Sequence, residues 1–400
     1  MKVMIYSQDS LGLGHLRRTT RIGHALQQLA PDTNFLYVAD SPQAPFFDLP
    51  KQSQLLKLPT VVKVDSGVWK VYESDASLKS TLAHRAELIK SHVLDFMPDA
   101  VLVDHMPHGV LGELLPCLEA LQQTSPPPLM VLGLRDILGA PEVIIRQWQG
   151  ENAYEALEQF YDHALIYGMQ SLFDVGQQYQ FSASVQQRFH YCSYVGPIPK
   201  PLAEPQTKAG KAPFRLLIMG GGGHDAYPWM SRIVDFLKSD WARSTFQTTL
   251  FSGPFMPPFE QQKLQQAAAD LPIELNFSTR EMATHLEQAA VVIAMAGYNT
   301  VCDVLGHRKK NIFIPRPGPS AEQSMRTALM RQRGWIDTLA VEALSPANLR
   351  EKLQRLLTES DKQNDLNIPP LDGAERAANF LLAQTAVKKS AQNSTMPSQR

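Results

Sequence analysis

Two stretches of this chain share one layout, in which a short apolar run passes straight into a glycine-rich turn and then into a helical pattern. In the first, KVMIY (2–6) leads into SQDSLGLGHLRRT (7–19); in the second, FRLLIMG (214–220) leads into the glycines of MGGGGHDAYPW (219–229). A strand feeding a helix through such a turn opens a βαβ unit, and open α/β folds bind ligands at that carboxyl edge. The layout occurs twice, so two such folds are expected.

The rest of the chain agrees. Apolar runs at 35–39, 100–104, 129–134, 163–168 and 191–196 alternate with helical patterns near 15–29, 82–96 and 109–122. After residue 213 the alternation restarts, with runs at 246–251, 273–277, 291–297 and 311–315. Such alternation predicts parallel sheets. Four hundred residues, 44% of them hydrophobic, also exceed one ordinary core. The expected division is an N-terminal Rossmann-like domain over 1–198, a Pro- and Lys-rich linker over 199–213 and a second Rossmann-like domain over 214–372. A final helix over 373–386, packing back on the N-terminal domain, and a disordered tail over 387–400 complete it.

The charge balance, 38 basic against 39 acidic residues, excludes a global field for holding nucleic acid. Three scattered cysteines, Cys117, Cys192 and Cys302, form no disulfide framework and no CxxC metal pair. The chain opens directly on a short apolar run, so no signal peptide is expected, and it has no apolar run of the ~18 residues needed to span a bilayer. A cytoplasmic location is expected, extending to the inner membrane face if the acceptor is lipid-linked.

Glycines let backbone N–H groups approach a phosphate, and a helix N-terminus adds unpaired donors with partial positive charge. Gly220, Gly221, Gly222 and Gly223 therefore suit a pyrophosphate. Gly12 and Gly14 supply the opening of a dinucleotide fingerprint, but Arg17 stands where its third glycine belongs, and Asp225 does so in the second half. A nicotinamide oxidoreductase is disfavoured on that ground, and the absence of GxxxxGK[ST] removes the ordinary P-loop.

LGLGH (11–15), GGGG (220–223), AGYNTVCDVL (296–305) and IPRPGPSAEQSMRTALM (314–330) together resemble the GT-B glycosyltransferases, most closely the MurG-like group of family 28, which moves N-acetylglucosamine from a UDP donor to a lipid-linked acceptor. The resemblance implies an α/β GT-B architecture of two Rossmann-like domains whose parallel sheets face a cleft, with the nucleotide-sugar donor held mainly by the C-terminal half and no metal or other cofactor. It carries the ribose-binding acid over to Asp303, the phosphate and sugar contacts to Gly297, Tyr298, Asn299 and Thr300, and polar sugar contacts to Glu322 and Gln323. The family's Gln-Gln pair is here Glu322-Gln323, and Pro317, Gly318 and Pro319 stiffen the loop before it, so the donor sugar is not transferred. Physical chemistry concurs, since a carboxylate accepts both protons of a ribose diol and a primary amide donates and accepts at once. Arg316 and Arg326 are candidates to neutralise the diphosphate.

Sugar transfer with inversion needs a base for the acceptor hydroxyl and stabilisation of the departing diphosphate. His15, at the first glycine turn, is the candidate base. Asp104 ends the strand AVLVD and is the candidate to orient it, with Asp136, after the following strand, competing for that role or for the role of base. DHMPH (104–108) resembles a fragment of a metal site, but its third ligand is missing and no metal is expected. Against these stand plainer uses, His15 and Asp104 as helix caps and Asp303 as a surface carboxylate. The acceptor, a glycan, a lipid-linked sugar or a small molecule, is expected against APFFDLP (44–50) and the long loop 59–80, where Phe46, Phe47, Trp69 and Tyr72 offer aromatic walls. Three other functions share much of this pattern: a GT-B nucleotide-sugar 2-epimerase, a non-catalytic nucleotide-sugar-binding protein and, more distantly, the oxidoreductase.

Overall fold

A computed structural model describes residues 1–65, 68–198, 213–318, 320–358 and 368–395 of the chain. It divides into two compact units, Met1–Val195 together with the chain from Asp372 onward, and Gly196–Leu371. Of the 199–213 segment, only Pro213 lies within the described residues, and Pro319 lies outside them.

The N-terminal unit is built on seven strands: β1 (Lys2–Ser7), β2 (Asn34–Ala39), β3 (Ser53–Lys57), β6 (Ala100–Asp104), β7 (Leu129–Arg135), β8 (His163–Tyr167) and β9 (Phe189–Tyr191). They pair in the order β3-β2-β1-β6-β7-β8-β9, all parallel. Between β3 and β6 lies an antiparallel hairpin of β4 (Val61–Asp65) and β5 (Val68–Val71). The central strands are buried on both faces, so their sequences run apolar without alternation.

The second unit has five parallel strands, β10 (Phe214–Met219), β11 (Phe246–Phe251), β12 (Ile273–Asn276), β13 (Val291–Met295) and β14 (Lys310–Ile314), in the order β12-β11-β10-β13-β14. In both sheets the strand before the glycine turn lies inside the sheet, where the chain on its two sides runs in opposite directions of strand order. That is the switch point at which open sheets hold ligands.

Three expectations are corrected. The 59–80 segment is not a long loop, because cross-strand pairs such as Lys63 with Trp69 close the β4–β5 hairpin and the helix Leu78–Phe96 begins before residue 80. The run 191–196 is not a continuous strand: β9 ends at Tyr191, and Ser193 turns the backbone left-handed with φ 69°. The tail does not become irregular at 387, since the last helix, Gly373–Thr395, continues past it, while 396–400 lie outside the described residues.

That helix belongs to the N-terminal unit. Ala377, Ala378 and Leu381 are buried, it packs against the helix Gly14–Leu29, and Asp372 just before it bridges to Val195. Lys388 donates to Asp162 Oδ2 at 2.7 Å and to the Pro128 carbonyl at 2.8 Å, and Lys389 pairs with Asp99 at 2.6 Å. Among the described residues, no helix is long and apolar enough to cross a membrane.

Candidate functional site

In the N-terminal unit, β1 ends at Ser7 and the chain turns through residues 8–13 into the helix Gly14–Leu29. The turn is tied down from two sides. Asp9 accepts the backbone N–H of His15 (2.7 Å) and of Leu16 (2.6 Å), so its carboxylate satisfies two of the four orphan donors of the helix start. Asp40, at the end of β2, accepts the backbone N–H groups of Asp9 and Ser10, each at 3.0 Å. Behind Asp40, Arg85 pairs with it at 3.4 Å and donates to both oxygens of Glu113, which also accepts the Tyr6 hydroxyl at 2.6 Å. Burial pushes the Asp9 carboxyl up, and the His15 side chain and the two backbone donors only partly offset it.

This frame presents His15, whose side chain is 16% exposed, to Asp104 at the end of β6, which is fully buried. His15 Nδ1 lies 3.0 Å from Asp104 Oδ2, and Arg18 Nη2 donates to the same oxygen at 2.5 Å. An ionised carboxylate only accepts, so in a neutral ring this contact places the proton on Nδ1 and the lone pair on Nε2. Burial opposes ionisation of Asp104, but the Arg18 charge and the His15 contact outweigh it and hold its carboxyl below the usual value. The adjoining His105 ring stands 5.3 Å from that of His15, and its backbone is left-handed, with φ 89°. Burial, with the charges of Arg135 and His15, pushes the His105 imidazole well below its ordinary pKa, so it is neutral near pH 7.

In the second unit the glycine turn packs backbone on backbone against the turn after β11. Gly223 (φ 94°) and Gly253 (φ 100°) approach so closely that a Cβ on Gly223 would lie 2.6 Å from the Ser252 carbonyl oxygen, and one on Gly253 2.5 Å from Gly223. A Cβ on Gly220 would meet Ser252 O at 2.3 Å. Gly221 and Gly222 are exposed, and Gly221 and Gly297 both face the Thr300 hydroxyl. The helix Tyr298–Gly306 follows Gly297, which as its N-cap brings no side chain to the helix start. Arg316 pairs with Asp225 at 3.3 Å, and its backbone N–H donates to Gln323 Oε1 at 3.1 Å.

Residues 216–378 match the glycosyltransferase family 28 C-terminal domain. A UDP-N-acetylglucosamine–N-acetylmuramyl-(pentapeptide) pyrophosphoryl-undecaprenol N-acetylglucosamine transferase of Clostridium kluyveri is 25% identical over 112 residues, which make up 28% of this chain. The chain spans 31% of that relative's length. MurG of Acinetobacter baumannii superposes with a TM-score of 0.59 at 14% identity, covering 96% of this chain and 100% of MurG. A UDP-GlcNAc 2-epimerase from Neisseria meningitidis, solved with UDP-GlcNAc, gives 0.57 at 11% identity, covering 97% and 100%. This is a GT-B fold, and its C-terminal half is similar to the family 28 domain.

The sites expected from sequence fall into both units of this GT-B chain. His15 and Asp104 are brought together; Asp136 directly follows β7, 2% exposed, with its Cβ side against Gly168. Gly12 closes the turn through its N–H to the Asp9 carbonyl (2.6 Å), Gly14 begins the helix, and Arg17 is half-buried. Glu322, Gln323, Thr300 and Asp303 are all buried, Asp303 at 2% exposed. Arg326 does not present its charge to solvent. It is fully buried, donates to the Ala296 carbonyl at 3.3 Å and sits 5.5 Å from the Tyr298 ring, so it braces the 296–298 turn. The DHMPH fragment is spent otherwise, Asp104 on Arg18 and His15, and His108 Nδ1 on the Gly109 carbonyl; among the described residues no three His, Cys, Asp or Glu side chains form a metal-binding group. Sequence reasoning missed Arg18 in favour of its neighbour Arg17, although the i, i+3 spacing from His15 was the available signal. It also missed the Asp40–Arg85–Glu113 network, whose members are far apart in sequence.

Proposed function

We propose that this chain transfers a sugar from a nucleoside-diphosphate sugar to a hydroxyl acceptor with inversion, His15 acting as the base. The observation that carries the reading is the Asp104–His15 hydrogen bond, with the basic Nε2 left over, on a chain whose other half matches a family 28 domain. His15 Nε2 takes the proton of the acceptor hydroxyl; the oxygen forms the new bond to the anomeric carbon as the bond from that carbon to the diphosphate oxygen breaks, and the nucleoside diphosphate leaves with the electron pair. Asp104 holds the ring in orientation and stabilises the imidazolium formed.

In this reading the diphosphate lies against Gly221, Gly222 and the start of helix Tyr298–Gly306, with Arg316 as the nearby cation and Asp303, Glu322 and Gln323 on ribose and sugar. UDP stands in the names of the Clostridium transferase and of the Neisseria epimerase complex, and is the first nucleotide to test. The acceptor side falls to exposed Phe46 and to the β4–β5 hairpin, with half-buried Trp69 and exposed Val64 and Val68. A lipid-linked acceptor would bring the chain into transient contact with a membrane face, and no resident cofactor is invoked.

The test is thermal stabilisation of the wild type and of Asp303→Ala by UDP, GDP, TDP, ADP and NADH, followed by product analysis. A ligand at 100 times its Kd raises stability by about 2.7 kcal/mol. One nucleoside diphosphate should stabilise the wild type and fail to stabilise Asp303→Ala; stabilisation by NADH alone, or by none, removes the reading. The 2-epimerase alternative shares the donor half and is told apart by whether nucleoside diphosphate is released only when an acceptor is present, as the transferase requires. A purely binding protein would be stabilised yet turn over nothing.

A further inference from the structure

The Asp104 carboxylate receives two donors on one oxygen, and only His15 has a part in the reaction above. The other, Arg18, stands one helical turn after His15 on the same face of helix Gly14–Leu29. Its side chain is 1% exposed, its Nη2 lies 2.5 Å from Asp104 Oδ2 and 3.1 Å from His15 Nδ1, and its guanidinium stacks 5.3 Å from the centre of the Tyr167 ring. Burying a cation and an anion costs so much solvation that such a pair is often no more stabilising than apolar groups of equal volume. Stability alone therefore does not account for this arginine beside the candidate base.

Its effect on His15 follows from charge. An unshielded carboxylate 3.0 Å from an imidazole favours the imidazolium, which is useless as a base. With Arg18 on the same oxygen, the carboxylate charge is offset before it acts on the ring. With its proton on Nδ1, His15 shares Oδ2 with Arg18 Nη2, and the 3.1 Å between the two nitrogens is the approach of two donors to one acceptor. The other charged or titratable groups facing His15 are Asp9, which accepts its backbone N–H, and His105, itself under the influence of Arg135.

We propose that Arg18 is a positioning residue that acts through His15: its charge, set beside Asp104, holds His15 as an uncharged Nδ1–H imidazole with Nε2 ready to accept a proton. This rests on His15 being the base, so the deciding readout is one that needs no sugar substrate. Imidazole NMR of the full chain is followed across about pH 5 to 9, with His15→Ala assigning the signal. In Arg18→Met the His15 titration should move up by about one unit, the acid limb of the kcat/KM profile should move the same way, and Arg18→Lys should restore most of the shift. An unmoved His15 titration in folded Arg18→Met overturns the proposal. If that variant does not fold, Asp104→Asn is compared with Asp104→Asn/Arg18→Met, which lacks the orphaned carboxylate. His15 should titrate higher in the double variant, and equal titrations overturn the proposal as well. A shifted titration without any sugar turnover would remove the transferase reading and leave the control of His15 by Arg18 standing.

Discussion

Asp104 is the residue on which the N-terminal site turns, because one buried oxygen meets both His15 and Arg18. His15→Ala should lower kcat by about 10²–10⁴-fold, the ordinary worth of a positioned general base, while donor-induced stabilisation measured by thermal shift is retained. Asp104 also links stability to pH. Its carboxyl is held below the unfolded value, so its contribution is complete above that value and is lost as pH falls through the folded one. Thermal melts of Asp104→Asn should therefore show a constant deficit against wild type from about pH 5 to 7 and a shrinking one below about pH 4. Arg18→Met leaves the carboxylate buried and uncompensated, at a cost of about 3–5 kcal/mol, readable as a lower denaturation midpoint. Arg326 shows the converse case, an arginine whose sequence position suggested phosphate but whose burial makes it a brace for Tyr298.

At the scale of elements, the two glycine turns do different work. The first is held by side chains, Asp9 and Asp40 accepting backbone donors, whereas the second is held by the direct approach of Gly223 to Gly253. Gly223→Ala should destabilise the second unit by at least about 1–3 kcal/mol, since φ 94° disfavours any side chain and the Ser252 carbonyl occupies the Cβ position. Gly222, where an added Cβ would come no nearer than 3.8 Å to Phe255 and φ is not positive, should tolerate alanine in stability, so that a loss of nucleotide-induced stabilisation in Gly222→Ala reports on binding. Differential scanning calorimetry with and without nucleotide separates the two effects.

At the scale of the whole molecule, the chain leaves the N-terminal unit at Val195 and returns to it at Asp372, so the last helix completes a fold begun more than half a chain earlier. Ending the chain at Leu371 should expose the face of helix Gly14–Leu29 that this helix covers and remove the Lys388–Asp162 and Lys389–Asp99 ties. The transition assigned to the N-terminal unit should then move to lower denaturant, and that of the second unit should stay, as followed by urea unfolding with probes in each. The doubling of the fold, the parallel sheets and the glycine turns were legible in the sequence, because buried parallel strands need unbroken apolar runs and tight strand-to-helix turns need glycine, both local demands. His15 and Asp104 were legible as candidates for the same reason, each standing at the end of a recognisable strand or turn. Only the tertiary structure decided that Asp104 is the carboxylate bonded to His15, that Arg18 and not Arg17 joins them, that Arg326 turns inward and that the 59–80 segment closes as a hairpin. Those outcomes depend on which groups meet across strands and helices distant in sequence, and on which charges are left in water, and neither is written in the local pattern of residues.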